Sequence, residues 1–387
     1  MRRNVAKRRP TILVVGPTPP PYNGMSVVTQ NLLKSRLCDQ FEIVLLDIAD
    51  RRGLANVGRF DWRNASLAVC HGLRFLWLLV TRRPDVVYVC ISQNTLGYLR
   101  DSLFLVPARL WGTRIVVHLH GGAFRRFYDR SSPPMQWLMN WTLRGVRRVI
   151  VLGDGLRPIF HGLVDETRIA TVPNGIAADE MPEEPLKEWR SPSSRVSEDG
   201  DRFQITYLGS LIETKGFLDV LRAAPLIAAQ CPCARFVLAG GLRHAEKAQE
   251  AQRTVEEQGV SDIISMPGVV VGREKAALLR ESHVFVFPPC NPEGQPLVIL
   301  EAMAAGLPVI TTNQGAITET VLDGVNGFIV PARDPEALAE KVVLLLNDPA
   351  LREKMAQASR ERFLAHYTLD RWANDMVRVF DQVLEED

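Results

Sequence analysis

Glu293 and Glu301 are separated by seven residues in the string VFVFPPCNPEGQPLVILEAMAAGLPVITTNQGAITETVLDGVNGFIV, residues 284–330. Val284 to Phe287 is apolar throughout, as a buried strand is, and Pro288 to Gly294 follow as a loop. Pro296 marks the first turn of a helix, where its missing N–H costs nothing. Such a start leaves the backbone N–H groups of Gly294, Gln295, Leu297 and Val298 available to an anion, with the helix dipole assisting. Glu301 lies four residues past Leu297, about 6 Å along the helix axis. A carboxylate there suits hydroxyls a few ångströms from a phosphate, as on the ribose of a nucleoside diphosphate. Glu293 stands on the other side of the loop, where a sugar would lie. The plain alternative is an exposed loop followed by a helix carboxylate, because two glutamates at a chosen spacing recur by chance.

Lys215 follows the strand-like run FQITYL. At a strand's carboxyl end a cation can neutralise a diphosphate whose charge grows as the sugar–phosphate bond breaks; position alone suits a solvated loop lysine equally. His120 follows RIVVHL, while His118 lies inside that run and reads as structural. His71, His161, His244, His283 and His366 show no paired spacing, so no metal is expected. Asp199-Gly200-Asp201 sits in a polar stretch and reads as a turn. The six cysteines are scattered, and Cys231-Pro-Cys233 lacks a two-residue spacer, so free thiols are expected.

Elements that position these residues follow from the apolar pattern. TILVV, FEIVLL, DVVYV, RIVVHL and RVIVL read as buried parallel strands, with helices near 26–37, 64–80, 97–110 and 134–145. FQITYL, ARFVLA, DIISM, HVFVF and LPVIT repeat the pattern, with helices near 216–229, 244–258, 273–281 and 296–305. The βαβ alternation occurs twice, so two doubly wound α/β units are expected, with ligands at the carboxyl ends of their strands. The stretch from Ile176 to Arg202 is polar and rich in Pro, Ser and acid. The domains expected are 1–178, a linker at 179–202, a second domain at 203–365, and C-terminal helices at 366–387 returning to the first domain.

Taken together, these residues resemble the retaining family 4 glycosyltransferases of the GT-B fold. Glu293-Gly294, Leu297, Leu300-Glu301-Ala302-Met303-Ala304, Gly306 and Pro308-Val309-Ile310 match that family's E-x7-E frame. Gly209-Ser210-Leu211 with Lys215-Gly216 is similar to its G-R-L…K-G segment. Pro173-Asn174-Gly175, His120-Gly121, Pro20-Pro21 with Gly24, Gly240-Gly241 and Asn326-Gly327 follow in the family's order, over about 370 residues. The resemblance implies two facing Rossmann-like domains with a central cleft. It implies a UDP-sugar donor held by Glu301 on ribose, by Lys215 and the Gly294–Val298 amides on the diphosphate, and by Glu293 on the sugar. His120 and Gly24 would lie on the acceptor side of the cleft, His120 facing the donor sugar. The implied acceptor is a hydroxyl of a saccharide or lipid-linked acceptor, in cell-surface polysaccharide or glycolipid synthesis. No cofactor or divalent metal is implied, and no nucleic acid. Ser210 departs from the family's Arg, Gln295-Pro296 from Phe-Gly, Gly24-Met25 from Gly-Gly, and Ala177 from Asp. Glu319, in GAITE, matches a carboxylate often found there and equally suits a helix cap.

Alternatives stay open: a GDP-mannose-type mannosyltransferase, a nucleotide-sugar epimerase of the same fold, or a non-catalytic sugar-nucleotide-binding subunit. A nicotinamide enzyme is disfavoured, since Gly16-Pro17 after the first strand lacks a G-x-G-x-x-G turn.

Charge sharpens the division. Residues 1–175 hold 25 Lys+Arg against 11 Asp+Glu, and the remainder hold 21 against 33. The basic half suggests an anionic partner. Arg125, Arg126 and Arg130 with Phe124, Phe127, Tyr128, Trp137 and Trp141 suit an anionic membrane interface, or a charged helix with its aromatics in the core. Arg2, Arg3, Lys7, Arg8 and Arg9 add a basic end. The run Leu67–Val80, interrupted by Cys70, His71, Gly72 and Arg74, falls short of the roughly 20 apolar residues a spanning helix needs. With ILVV too short for a signal-peptide core, the expected location is the cytoplasm, peripheral on the inner face of the membrane.

Overall fold

The computed structural model describes residues 8–52, 62–177, 202–241, 253, 255–257 and 259–386. The expected linker at 179–202 lies outside the described residues apart from Arg202, as do Asp199-Gly200-Asp201 and most of the expected 244–258 helix. The chain divides into two compact units, one running to Gly175 and resuming at Leu369, the other running from Ile176 to Thr368.

The first unit is built on six parallel strands: β1 (Thr11–Gly16), β2 (Glu42–Asp47), β3 (Val86–Cys90), β4 (Arg114–His118), β5 (Arg148–Val151) and β6 (Ile169–Thr171). Their order is β2-β1-β3-β4-β5-β6. β1, β3 and most of β4 and β5 are buried, which is why they read as unbroken Val/Ile/Leu runs with no alternation. The chain winds outward from β1 to β2, then returns to β3 on the other side. Strand order therefore reverses between β1 and β3, where the loops diverge and leave room for a ligand.

The second unit repeats the plan with β7 (Phe203–Leu208), β8 (Ala234–Ala239), β9 (Ile264–Gly268), β10 (Val284–Phe287), β11 (Val309–Thr312) and β12 (Gly327–Val330). The order β12-β11-β10-β7-β8-β9 reverses between β7 and β10. β6 and β12 are absent from the sequence-based expectation. β6 has three residues, and β12 carries only Phe328, Ile329 and Val330 of apolar character, too little for a periodic signal.

The helix Leu369–Glu385 belongs to the first unit. Trp372, Met376, Val379, Phe380 and Val383 are buried, all on one helical stripe. Phe380 lies edge-on to Tyr88 at 6.0 Å and to Phe41 at 5.7 Å. The carbonyl of Glu386 accepts from Arg114, and its carboxylate pairs with Arg148. Burying a side chain of this size contributes about 1.5–3 kcal/mol, so this terminal helix is an integral layer over β3.

Candidate functional site

The reversal point of the second sheet brings Lys215 and Glu293 together. Lys215 ends a short helical turn after β7, and Glu293 stands in the loop after β10. The Lys215 ammonium bridges both carboxylate oxygens of Glu293, at 2.6 and 2.7 Å. The pair is partly open to solvent, with side chains 29% and 15% exposed. Beneath it, the Tyr207 and Phe287 rings stack at 5.7 Å, and the Lys215 nitrogen lies 5.8 Å from the Phe287 ring. The Tyr207 hydroxyl donates to the Ser210 carbonyl at 3.1 Å, which fixes the turn that carries Ser210. Burial pushes that phenol well above its ordinary range, with the Glu293 carboxylate adding to the shift.

Two glycines hold this arrangement. Gly216 has φ +77°, and a Cβ there would lie 1.8 Å from the Pro288 carbonyl oxygen. Gly315 has φ +61°, and its Cβ would lie 1.8 Å from the Glu293 carbonyl oxygen. The backbone after β11 thus presses against the Glu293 loop, and Ala316 N–H donates to the Gly294 carbonyl at 3.0 Å. Both contacts require the left-handed conformation that only glycine adopts without strain.

Pro296 is the N-cap of the helix Leu297–Ala304 and offers no side-chain cap. Among the described residues, the backbone N–H groups of Gly294, Leu297 and Val298 have no acceptor, while Ile299 N–H turns back to the Pro296 carbonyl. The Gln295 side chain is buried and donates to Thr320 Oγ1 at 2.9 Å, so it positions the loop from behind. Glu301 is buried to 6% exposure one turn along. Its Oε1 accepts from Lys275 at 2.7 Å. Lys275, on the helix Gly272–Glu281, is a site residue that sequence reading missed. Nothing in GREKAALLRE signals it, because its contact depends on how two successive βα units pack.

In the first unit, His120 follows β4 and is half-buried. Its ring lies tilted against His118, with centroids 3.9 Å apart, and Nε2 lies 3.5 Å from the Cys90 sulfur. His118 is fully buried and shares a 2.6 Å hydrogen bond with the Tyr88 hydroxyl. Burial lowers the His120 imidazole to about 4 and pushes the Cys90 thiol up to about 12. At neutral pH His120 is therefore an uncharged hydrogen-bonding ring beside a protonated thiol.

Gly24 opens the helix Gly24–Lys34, whose N-cap Asn23 accepts from Ser26 N–H at 3.0 Å while Ser26 Oγ accepts from Asn23 N–H at 2.9 Å. A Cβ on Gly24 would meet nothing within 4 Å. The preceding loop is held by Asp47, which accepts from the Thr18 hydroxyl at 2.6 Å and from Arg51 at 2.6 Å. At the sheet's reversal point lies a pocket of about 720 Å³. Pro17, Pro21 and Met25 wall it on one side, Cys90, Gln93 and His120 form another face, and Leu67, Leu96, Leu99 and Leu103 supply apolar walls.

The aromatic residues after His120 divide. Phe124 is fully buried and stacks on Phe160 at 5.2 Å, so it is core. Trp137 is exposed and stacks on Trp141, over which Arg109 lies at 4.2 Å. Arg125 is engaged by Asp129 and the His161 carbonyl. The Glu319 carbonyl accepts from Arg362 and from the Tyr367 hydroxyl at 3.1 Å.

Comparison with known proteins follows the same division. The family model "Glycosyl transferase 4-like domain" matches residues 11–175, and "Glycosyl transferases group 1" matches residues 192–362. The Staphylococcus aureus capsular polysaccharide biosynthesis glycosyltransferase CapM is 32% identical over 165 residues, 42% of this chain and 41% of CapM. A GDP-mannose-dependent phosphatidylinositol monomannoside mannosyltransferase of Mycolicibacterium smegmatis is 32% identical over 180 residues, 45% of each chain. The matched segments thus span less than half the length of these relatives. The crystal structure of Anabaena HepE with UDP and glucose superposes with a TM-score of 0.74 at 16% identity, covering 96% of this chain and 99% of that one. That likeness shows the shared GT-B fold.

Proposed function

Because the chain belongs to the glycosyltransferase family that these two models describe, we propose that it moves a sugar from a nucleoside-diphosphate sugar to a hydroxyl of a saccharide or lipid-linked acceptor. The observation that carries the proposal is the second sheet's reversal point. There a lysine, a carboxylate and a helix start with open N–H groups converge within one short loop region. Lys215 and the N–H groups of Gly294, Leu297 and Val298 would take the diphosphate, Glu293 the donor sugar, and Glu301 the ribose hydroxyls, with Lys275 holding its carboxylate in place.

Bond breaking leaves negative charge on the diphosphate, and Lys215 and the helix start are aimed to stabilise that charge as it develops. Neither group needs a metal. The transfer would proceed with retention, the departing phosphate oxygen accepting the acceptor's proton on the same face. His120, neutral at working pH, would donate or accept a hydrogen bond at a sugar hydroxyl, and Gly24 would leave room for close approach on the acceptor side.

The names of relatives support a role in cell-surface polysaccharide or glycolipid synthesis. UDP, found with HepE, supports a UDP-sugar donor. A GDP-mannose donor is the second reading, supported by the mannosyltransferase relative. Titrating UDP- and GDP-sugars into the protein by calorimetry separates the two. Binding of neither class would overturn the proposal.

A further inference from the structure

Behind His120, four side chains form one hydrogen-bonded run. Tyr88 and Cys90, two residues apart, share a face of β3. His118 ends β4, where it pairs with Cys90, and His120 follows two residues on. The Tyr88 hydroxyl lies 2.6 Å from His118 Nδ1, the Cys90 thiol 3.8 Å from that hydroxyl, and His120 Nε2 3.5 Å from the Cys90 sulfur. Tyr88, Cys90 and His118 are buried. His118 Nε2 has no hydrogen-bond partner among the described residues, so the run ends there. At the other end His120 lines the first unit's pocket, and Nδ1 is its one ring nitrogen with no partner among the described residues.

The shortest bond sets the direction of the run. An N–H donor stays about 2.7–3.2 Å from oxygen, whereas an O–H donor reaches about 2.5–3.0 Å. At 2.6 Å the Tyr88 O–H therefore donates to His118 Nδ1. The reverse order would also send the phenol proton to sulfur, a weak acceptor. With that proton committed, Tyr88 Oη accepts from the Cys90 S–H, and the sulfur is left to accept from His120 Nε2–H. Burial keeps both imidazoles uncharged at neutral pH, so each ring carries one proton. The backbone on either side of His120 is held separately. Leu119 N–H donates to the Ile150 carbonyl at 3.0 Å, and Ala123 N–H to Gln93 Oε1 at 2.6 Å. The ring's proton is thus left to Cys90.

We propose that Cys90 is a positioning residue for the transfer, holding His120 Nε2–H so that a proton-free Nδ1 accepts a hydrogen bond from a sugar hydroxyl. Tyr88 and His118 act one step further back, by fixing which way the thiol points its proton. The proposal rests on the role given to His120 above and narrows it: the ring accepts and does not donate.

The test is nuclear magnetic resonance of the full chain labelled with nitrogen-15 histidine, in which ring nitrogen shifts report the tautomer. His120→Gln assigns the signal among the seven histidines. Wild type at neutral pH should carry its His120 proton on Nε2. Cys90→Ala should lose that bias and populate both tautomers. Cys90→Ser should keep it, since a hydroxyl donates and accepts as the thiol does. Tyr88→Phe should move the proton to Nδ1, because the released S–H then donates to Nε2. In parallel transfer assays Cys90→Ala should be slower by about twofold to tenfold, the worth of one hydrogen bond, and Cys90→Ser should recover the rate. UDP affinity should be unchanged in all variants, since the proposed diphosphate contacts lie in the second unit. A wild-type His120 protonated on Nδ1 overturns the inference. So does an unchanged His120 signal in Cys90→Ala or Tyr88→Phe, or a Cys90→Ser protein that behaves as Cys90→Ala. Absence of transfer by wild type with the expected tautomers in place would instead fault the proposed reaction, not the hydrogen-bonded run.

Discussion

Glu293→Gln is the perturbation whose outcome is least intuitive. In the structure the Lys215 ammonium donates to both carboxylate oxygens of Glu293, at 2.6 and 2.7 Å. A nucleoside diphosphate entering this loop meets an already neutralised lysine and a carboxylate of its own sign. Glutamine keeps the size and removes the charge. A unit charge 4 Å away is worth about 1 kcal/mol in water and about 4 kcal/mol at a protein surface. With side chains only 29% and 15% exposed, the value in water is a lower bound. UDP itself should therefore bind the variant more tightly, by about fivefold or more. Transfer should move the other way, because the donor sugar loses a charged hydrogen-bond partner worth about 1.5–3 kcal/mol, or about 10- to 150-fold. Calorimetric titration of UDP at low and high salt, beside a transfer assay with labelled donor, reads both. The difference in UDP affinity should shrink in high salt. UDP that binds Glu293→Gln no better than wild type refutes the reasoning, since Lys215 would then not face the diphosphate.

Gly315→Ala should lower stability by about 1–3 kcal/mol and displace the Glu293 loop; urea unfolding and donor binding should both fall, whereas Gly324→Ala, whose Cβ meets nothing within 4 Å, should lose stability with donor binding intact. Phe380→Ala should cost about 3–5 kcal/mol and destabilise the first unit, which urea unfolding would read. His120 has its pKa lowered by burial to about 4, below the unfolded value of about 6.5. Its contribution to stability is therefore complete above pH about 6.5 and lost as pH falls towards 4. The wild-type urea midpoint should decline across that window, and His120→Gln should flatten the decline; an unchanged slope would contradict the burial of a neutral ring.

The strands FQITYL and ARFVLA coincide with β7 and β8 because both are apolar runs bounded by turn residues. The helix expected from Pro296 begins one residue later, at Leu297, for the same local reason. β6 and β12 were illegible because short edge strands are defined by pairing with β5 and β11. The E-x7-E spacing placed Glu301 one turn into a helix from sequence alone. Its Lys275 partner, 26 residues upstream, was beyond reach because nothing local sets that contact. The aromatics after His120 were readable as core or surface; packing puts Phe124 inside and leaves Trp137 out. Periodicity shows which faces are apolar, and only the fold shows which of them is covered.

In the proposed function the second unit holds a nucleotide sugar through Glu301 and Lys215. Calorimetric titration of a panel of UDP- and GDP-sugars into wild type, Glu301→Gln and Lys215→Met, each checked for an unchanged fold, tests it directly. Saturable binding by wild type is expected, with at least tenfold weaker binding by each variant. Absence of binding by wild type, or equal binding by all three proteins, would contradict it.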